Sequence, residues 1–332
     1  MRLYEKYKKT NKPNDLFIWW LWRKCLSHIP IYVKYHNYYL GEYKKSYGHE
    51  YPDKIFYVIR PNGESCGLMS LYKSVIQKIM YADERGYIPV IDFKNYKNMY
   101  RDKSLIHKNS WEYYWKQPAH VALEEISKAK NVIIAAKIID NIKNVYSKET
   151  ISNVSQYIDM VPFSENTQKH LNVKYKEFIK KCGSTTNVLG VLARGTDYTS
   201  LQPHKHAVVP TVDQLFEKIE EKQTEWKRYS YIFLATEDEN IYSRFKERYG
   251  NKLITSGQEL YLSNTKGRAL SQIRKKRKND NYYRGLEYLT TVYLLSKCDA
   301  LIGGNTAGTI AAMWWNKGEY KNTYLFDLGK YN

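Results

Sequence analysis

Arg194, Gly195, Thr196 and Asp197 stand together at the end of a smooth apolar run, in "NVLGVLARGTDYTS" (residues 187–200). Their types suit the handling of an anion. An arginine keeps its charge and can grip two phosphate oxygens through its planar fork. Gly195 leaves clearance where a ligand might press close. Asp197 can orient Arg194, bind a hydroxyl or take a proton. Two further apolar runs end in polar groups. One runs into Thr236, Glu237 and Asp238 in "FLATEDEN"; the other runs into Asn305, Thr306, Ala307, Gly308 and Thr309 in "DALIGGNTAGTIAA". The acids do not bind phosphate, but they can hold a nucleobase edge, a ribose or a sugar hydroxyl. The small residues of the third run let a backbone approach a ligand, and a helix starting there would offer free N–H groups and a positive dipole end. The ordinary readings compete: a structural ion pair at Arg194, acids favoured at a helix start, and a tight strand-to-helix turn.

Taken together, the three sets suit a diphosphate with a polar group at each end, that is, a nucleotide sugar. The sequence has no GxGxxG fingerprint, no GxxxxGK[ST] loop and no DxD triplet. A metal-independent site is therefore expected, with no cofactor. Arg194 and helix N–H groups would stabilise the leaving diphosphate. After the arginine, "SLQPHKHAVVP" adds His204 and His206, which can act as bases at neutral pH; the alternative is two solvated loop histidines. The five basic residues Arg274 to Lys278 read either as a solvated loop or as a contact for the donor or an anionic, lipid-linked acceptor.

The elements that must position these groups alternate between strand and helix. In the second part of the chain, strands are expected at 188–193, 229–236, 252–255, 299–304 and in "NTYLFD". Helices are expected after Pro210–Thr211, with Gln214 closing a capping box, over "EDENIYSRFKERYG" up to Gly250, over Tyr282–Cys298 and from Asn305 onward. In the first part, "KIFYVIR" and "GYIPVID" read as strands flanking a helix that opens after "PNGESCG". "NVIIAA" reads as another strand, residues 165–181 as a polar helix and "NSWEYYWKQP" as a cleft wall or packed loop. Such alternation implies an α/β fold with open parallel sheets, whose ligands sit at the carboxyl ends of the strands. "KKCGSTT" (residues 180–186) marks a domain junction.

The three motifs, in this order, resemble those of the fucosyltransferase superfamily with the GT-B fold, which includes α1,6-fucosyltransferases, nodulation fucosyltransferases and protein O-fucosyltransferases. The resemblance spans residues 187–312 closely and "CGLMSLYKSVIQKIMYADERGYIPVID" loosely. It implies two Rossmann-like domains facing a cleft and an inverting, single-displacement transfer of fucose from GDP-fucose to a glycan hydroxyl; the Lys-, Tyr- and Asn-rich composition suggests bacterial surface polysaccharide or glycoconjugate synthesis. The resemblance also implies that Arg194 grips the donor diphosphate and that Glu237 and Asp238 match the acidic pair. Thr306 would fall in the hydroxylic turn. The chain departs from the pattern in three places: Leu192 replaces its histidine, Gly195 its second arginine, and Thr306–Ala307 the serine pair of the turn. The expected donor-binding set is Arg194, Gly195, Thr236, Glu237, Asp238, Asn305, Thr306, Ala307, Gly308 and Thr309. Arg194, Asp197 and His206 are the catalytic candidates. The division expected is 1–50, 51–182 and 183–332.

Composition sets the remaining bounds. The 332 residues suffice for about two domains, and the 43% apolar content for sizeable cores. The net charge of +19 favours anionic partners: nucleic acid, phosphorylated small molecules or an acidic membrane surface. A nucleic-acid-binding protein is one rival reading, though no recognised motif supports it. An inactive relative serving as a scaffold or lectin is another. The four cysteines are scattered, which argues against a zinc site and fits a reducing cytoplasm. No signal peptide is read at the start. Residues 1–50 hold ten Lys and Arg against four Asp and Glu, and they surround "LFIWWLW". Either an interfacial helix on an anionic membrane, at the inner face of the cell membrane, or a helix packed on the protein's own core would fit.

Overall fold

The computed structural model describes residues 41–139, 142–183, 187–226 and 228–331. The "LFIWWLW" stretch lies outside the described residues, as do residues 184–186 of the expected junction. Two sheets organise the chain. The first contains β1 (Tyr43–Lys45), β2 (Phe56–Ile59), β3 (Ile88–Ile91) and β4 (Val132–Ile134) in the order β1-β4-β2-β3. β2 pairs in parallel with both neighbours, and β1 closes the edge antiparallel to β4. All four residues of β2 are buried, as a central strand covered on both faces requires. α1 (Leu68–Asp83) crosses from β2 to β3.

The second sheet is wholly parallel. It contains β5 (Val188–Leu192), β6 (Tyr231–Ala235), β7 (Leu253–Ile254), β8 (Ala300–Gly304) and β9 (Asn322–Phe326) in the order β7-β6-β5-β8-β9. This doubly wound order places β5 at the centre, where strand order reverses and a ligand crevice is expected. Between the sheets in sequence run α2 (Leu123–Ile126), α3 (Lys148–Asp159) and α4 (Glu165–Cys182). The second half continues with α5 (Asp197–Leu201), α6 (Val212–Glu225), α7 (Glu239–Tyr249), α8 (Asp280–Leu295) and α9 (Ala307–Trp315). Thr211 and Gln214 form the expected capping box on α6, and Gly250 closes α7 at φ +54°. The sequence reading did not include β1, α2, α3 or the short α5.

The two α/β halves face a cleft, the architecture that the resemblance implies. Their seam is aromatic. α9 packs on α1 and α3. Tyr72 of α1 stacks on Trp115 (5.1 Å) and meets Trp315 edge-on (5.3 Å), whose indole N–H donates to the Tyr72 hydroxyl at 2.9 Å. "NSWEYYWKQP" is therefore a packed loop: Trp111, Tyr114 and Trp115 are buried, and the Tyr114 hydroxyl donates across the seam to the Tyr282 carbonyl at 2.8 Å. A Cβ on Gly285 would lie 2.1 Å from that hydroxyl, so the glycine makes the close approach possible. Aromatic pairs of this kind add about 0.5–1.5 kcal/mol each beyond burial. No helix of the described residues is long and apolar enough to cross a membrane.

Candidate active site

The cleft between the halves has a volume of about 920 Å³. Its walls are the carboxyl ends of strands from both sheets: the loop 63–67 after β2, the Arg194 segment after β5, Glu237 after β6, residues 258–261 after β7 and residues 305–308 after β8.

Arg194 is the hub. Its guanidinium lies 3.4 Å from Asp197 Oδ1 and 3.4 Å from Glu237 Oε2, and 4.5 Å from the centre of the Tyr198 ring. Burial works against its charge. Glu237, Tyr288, Asp197 and Tyr198 together outweigh that largest influence and hold the guanidinium above its usual range. Asp197 does more than pair with Arg194. Its Oδ2 accepts the Leu270 amide at 2.9 Å, and its Oδ1 lies 3.3 Å from the Thr196 hydroxyl oxygen. Both oxygens thus have partners within the fold.

The turn carrying these groups is strained. Thr196 has φ +48° and is fully buried, an uncommon conformation for a β-branched residue. Carboxylates hold it there. The Thr196 amide donates to Asp238 Oδ2 at 2.7 Å, and its hydroxyl donates to Glu237 Oε1 at 3.1 Å, which also accepts the Gly195 amide at 3.2 Å. Backbone strain held by several partners in this way is typical of functional sites.

Several expected donor contacts are corrected by this arrangement. Asp238 does not face the cleft. Its Oδ1 caps α7 through the amides of Asn240 and Ile241 and accepts the Ser263 hydroxyl, while Oδ2 holds Thr196. Thr236 lies beneath it, and its hydroxyl accepts the Asp238 amide at 3.2 Å. Gly195 gives clearance to Asp238 and not to a ligand, since a Cβ there would sit 2.4 Å from Oδ2. Thr309 is fully buried and donates to the Gly304 carbonyl at 2.6 Å. His204 is exposed and lies off the cleft wall.

Arg194, Asp197, His206, Glu237, Asn305, Thr306, Ala307 and Gly308 do come together on the cleft. Thr306 caps α9 by accepting the Thr309 amide at 3.3 Å. Asn305 accepts the Tyr146 hydroxyl at 2.6 Å, a bond from the first part of the chain. The amides of Ala307 and Gly308, in the first turn of α9, have no acceptor among the described residues. Both residues line the cleft, as Arg194 does. His206 is fixed by its Nδ1, 3.0 Å from the Tyr198 hydroxyl. Desolvation lowers its pKa, with Asp197 opposing and Arg194 adding to the fall. The backbone of 205–208 pairs with the C-terminal residues 329–331, which brings His206 to the cleft rim.

Two parts of the wall were not singled out in the sequence. Tyr288 of α8 lies inside a helical pattern with nothing to distinguish it among 33 tyrosines. Arg284, also of α8, lines the cleft but donates to the carbonyls of Leu270 and Ile273, which fixes the loop ahead of the helix. The basic run joins that loop. Lys275 pairs with Glu259 at 3.1 Å, and Arg277 bonds Asp280 and Glu287, while Lys276 and Lys278 are exposed. Among the described residues, no group of three or more His, Cys, Asp and Glu side chains could hold a metal ion.

No protein-family model matches the chain. No curated protein matches it. Among solved structures, it is similar to the NodZ alpha-1,6-fucosyltransferase soaked with GDP-fucose, at 13% identity and a TM-score of 0.47, over 79% of this chain and 93% of that one. It is also similar to the fucosyltransferase NodZ from Bradyrhizobium, at 14% identity and a TM-score of 0.46, over 78% and 92%. The selenomethionine form of that enzyme gives 13% identity and a TM-score of 0.49, over 84% and 97%.

Proposed function

We propose that the chain is an inverting, metal-independent glycosyltransferase that takes a nucleotide sugar as donor and a glycan hydroxyl as acceptor. One observation carries the reading: Arg194, the free first-turn amides of α9 and the carboxylates of Asp197 and Glu237 share one interdomain cleft of about 920 Å³. That volume is at the upper end of small-molecule sites and suits a nucleoside diphosphate sugar. GDP-fucose is the donor that the sequence resemblance implies. The chain divides near residue 183, with the first part on the acceptor side. A glycan or lipid-linked glycan of the bacterial surface, met at the inner face of the membrane, is the acceptor class in this reading.

In the displacement, the acceptor oxygen bonds to the anomeric carbon as that carbon's bond to the diphosphate oxygen breaks. The electron pair leaves on the diphosphate. Arg194 and the amides of Ala307 and Gly308 stabilise the charge that develops there. The acceptor proton passes to His206. This requires Nδ1–H to donate to the Tyr198 oxygen, which leaves Nε2 free to accept. Asp197 holds Arg194 and Glu237 holds the strained turn.

A thermal-shift panel of GDP-, UDP- and dTDP-sugars tests the donor. GDP-fucose should raise the unfolding midpoint selectively, because a ligand stabilises the state it binds. No shift with any of them would overturn the reading. Transfer should survive EDTA; abolition that a divalent ion restores would reject the metal-independent form.

A further inference from the structure

We propose that the Tyr288 hydroxyl is a neutral hydrogen-bond donor to the donor's diphosphate, completing an anion cradle with the amides of Ala307 and Gly308. This rests on the nucleotide-sugar reading and assigns a phosphate contact to a residue outside the three motifs.

The argument begins with Arg194. Its charge is already met by two carboxylates, Asp197 and Glu237, each at 3.4 Å. Their formal charges sum to minus one, so this cluster alone does not attract a dianion. Beside the cations Lys73, Lys205 and Lys330 that also line the cleft, neutral donors add to the binding. The amides at the start of α9 are two of them.

Tyr288 stands against the same turn. An ideal Cβ on Gly308 would lie 2.5 Å from its hydroxyl and 3.6 Å from the ring carbon bearing it. The glycine at this step thus admits the phenol to the start of α9. Tyr288 lines the cleft, and its hydroxyl bonds no group among the described residues. Three other phenols nearby have partners, Tyr198 with His206, Tyr146 with Asn305 and Tyr114 with the Tyr282 carbonyl, while the buried Tyr261 hydroxyl has none among the described residues. Burial pushes the Tyr288 phenol up to about 12, with Arg194 pulling the other way. It therefore keeps its proton at neutral pH and can donate to an anion.

Tyr288→Phe removes only the hydroxyl. Isothermal titration with GDP and with guanosine, on the full chain, gives the test. The variant should bind GDP roughly 10-fold or more weakly, the range for a hydrogen bond to a charged group. Guanosine affinity and the unliganded unfolding midpoint should be unchanged. Equal GDP affinity, or an equal loss for GDP and guanosine, overturns the assignment and leaves the nucleotide-sugar reading standing. A wild-type chain that binds neither GDP nor any nucleotide sugar of the thermal-shift panel sinks both. Gly308→Ala should displace the hydroxyl and weaken GDP binding alone, yet add nothing in the Tyr288→Phe background. Full additivity of the two losses would also overturn it.

Discussion

Two central strands, one in each sheet, run directly into an arginine. β2 reaches Arg60 and β5 reaches Arg194, yet the two cations have opposite surroundings. Arg194 is 17% exposed, sits between two carboxylates and opens on the cleft. Arg60 is 1% exposed, and its guanidinium donates to the carbonyls of Ala135 and Gly41. Beside it, Lys78 of α1 is fully buried and donates to three neutral oxygens: the carbonyls of Arg60 and Lys137 and the Asn62 side chain. Burial, reinforced by Arg60, lowers the Lys78 pKa to about 7. One corner holds its cation charged and accessible. The other uses cations to tie down the loop that forms the opposite wall of the cleft. An arginine at a strand end is therefore not a ligand site by itself; access and compensating charge distinguish the two.

The largest expected effect separates the corners by function. Arg194→Ala should lower transfer by two or more orders of magnitude, as removal of a charge-stabilising donor does. Arg194→Lys keeps a cation between the acids, so it should fold, but it loses the planar fork and should recover little of the activity. Steady-state kinetics beside a melting curve checks both. Near-normal turnover in Arg194→Ala would remove the distinction.

A smaller effect tests the other corner. The Lys78 pKa is lower folded than unfolded, so the unfolded chain binds the extra proton more tightly. Stability should then rise with pH from about 7 to 9.5, by at most ~1.4 kcal/mol per unit. Denaturant titrations across that range should show the slope in the wild type and its loss in Lys78→Met. That variant also removes three hydrogen bonds, at a cost of about 1–3 kcal/mol. A flat wild-type profile would contradict the buried-cation account.

The smallest contrast uses a glycine from each wall. Gly195→Ala drives a Cβ into Asp238 and should cost about 1–3 kcal/mol, with loss of transfer as the Thr196 turn shifts. Gly67→Ala meets nothing within 4 Å at an ordinary φ of −64° and should stay within about 0.5 kcal/mol. Equal effects would show that the two walls are not organised differently.

Much of the architecture was legible because local physics wrote it. The runs "VLGVLA", "YSYIFLAT" and "DALIGG" are continuous and apolar because their strands are buried on both faces, and Thr211, Gln214 and Gly250 mark helix ends through caps. Arg194 and the 305–308 turn were legible for a related reason: polar groups at the ends of buried strands are conspicuous. The sequence could not apportion the polar residues between ligand and fold. Asp238 and Glu237 are adjacent acids of one type. One spends both oxygens on a cap and a strained turn, and the other keeps one toward Arg194. That choice depends on where Thr196 and Gly195 arrive from 42 residues away. The aromatic seam and Tyr288 were hidden likewise, since a tyrosine in an amphipathic helix has the same pattern whether it packs or faces a cleft. The sequence by itself determined the strands, the caps and which strand ends are polar, because each follows from neighbours along the chain. The tertiary structure alone decided which of those polar groups meet across the cleft and which are consumed beneath it, because burial and hydrogen-bond partners are set by segments distant in sequence.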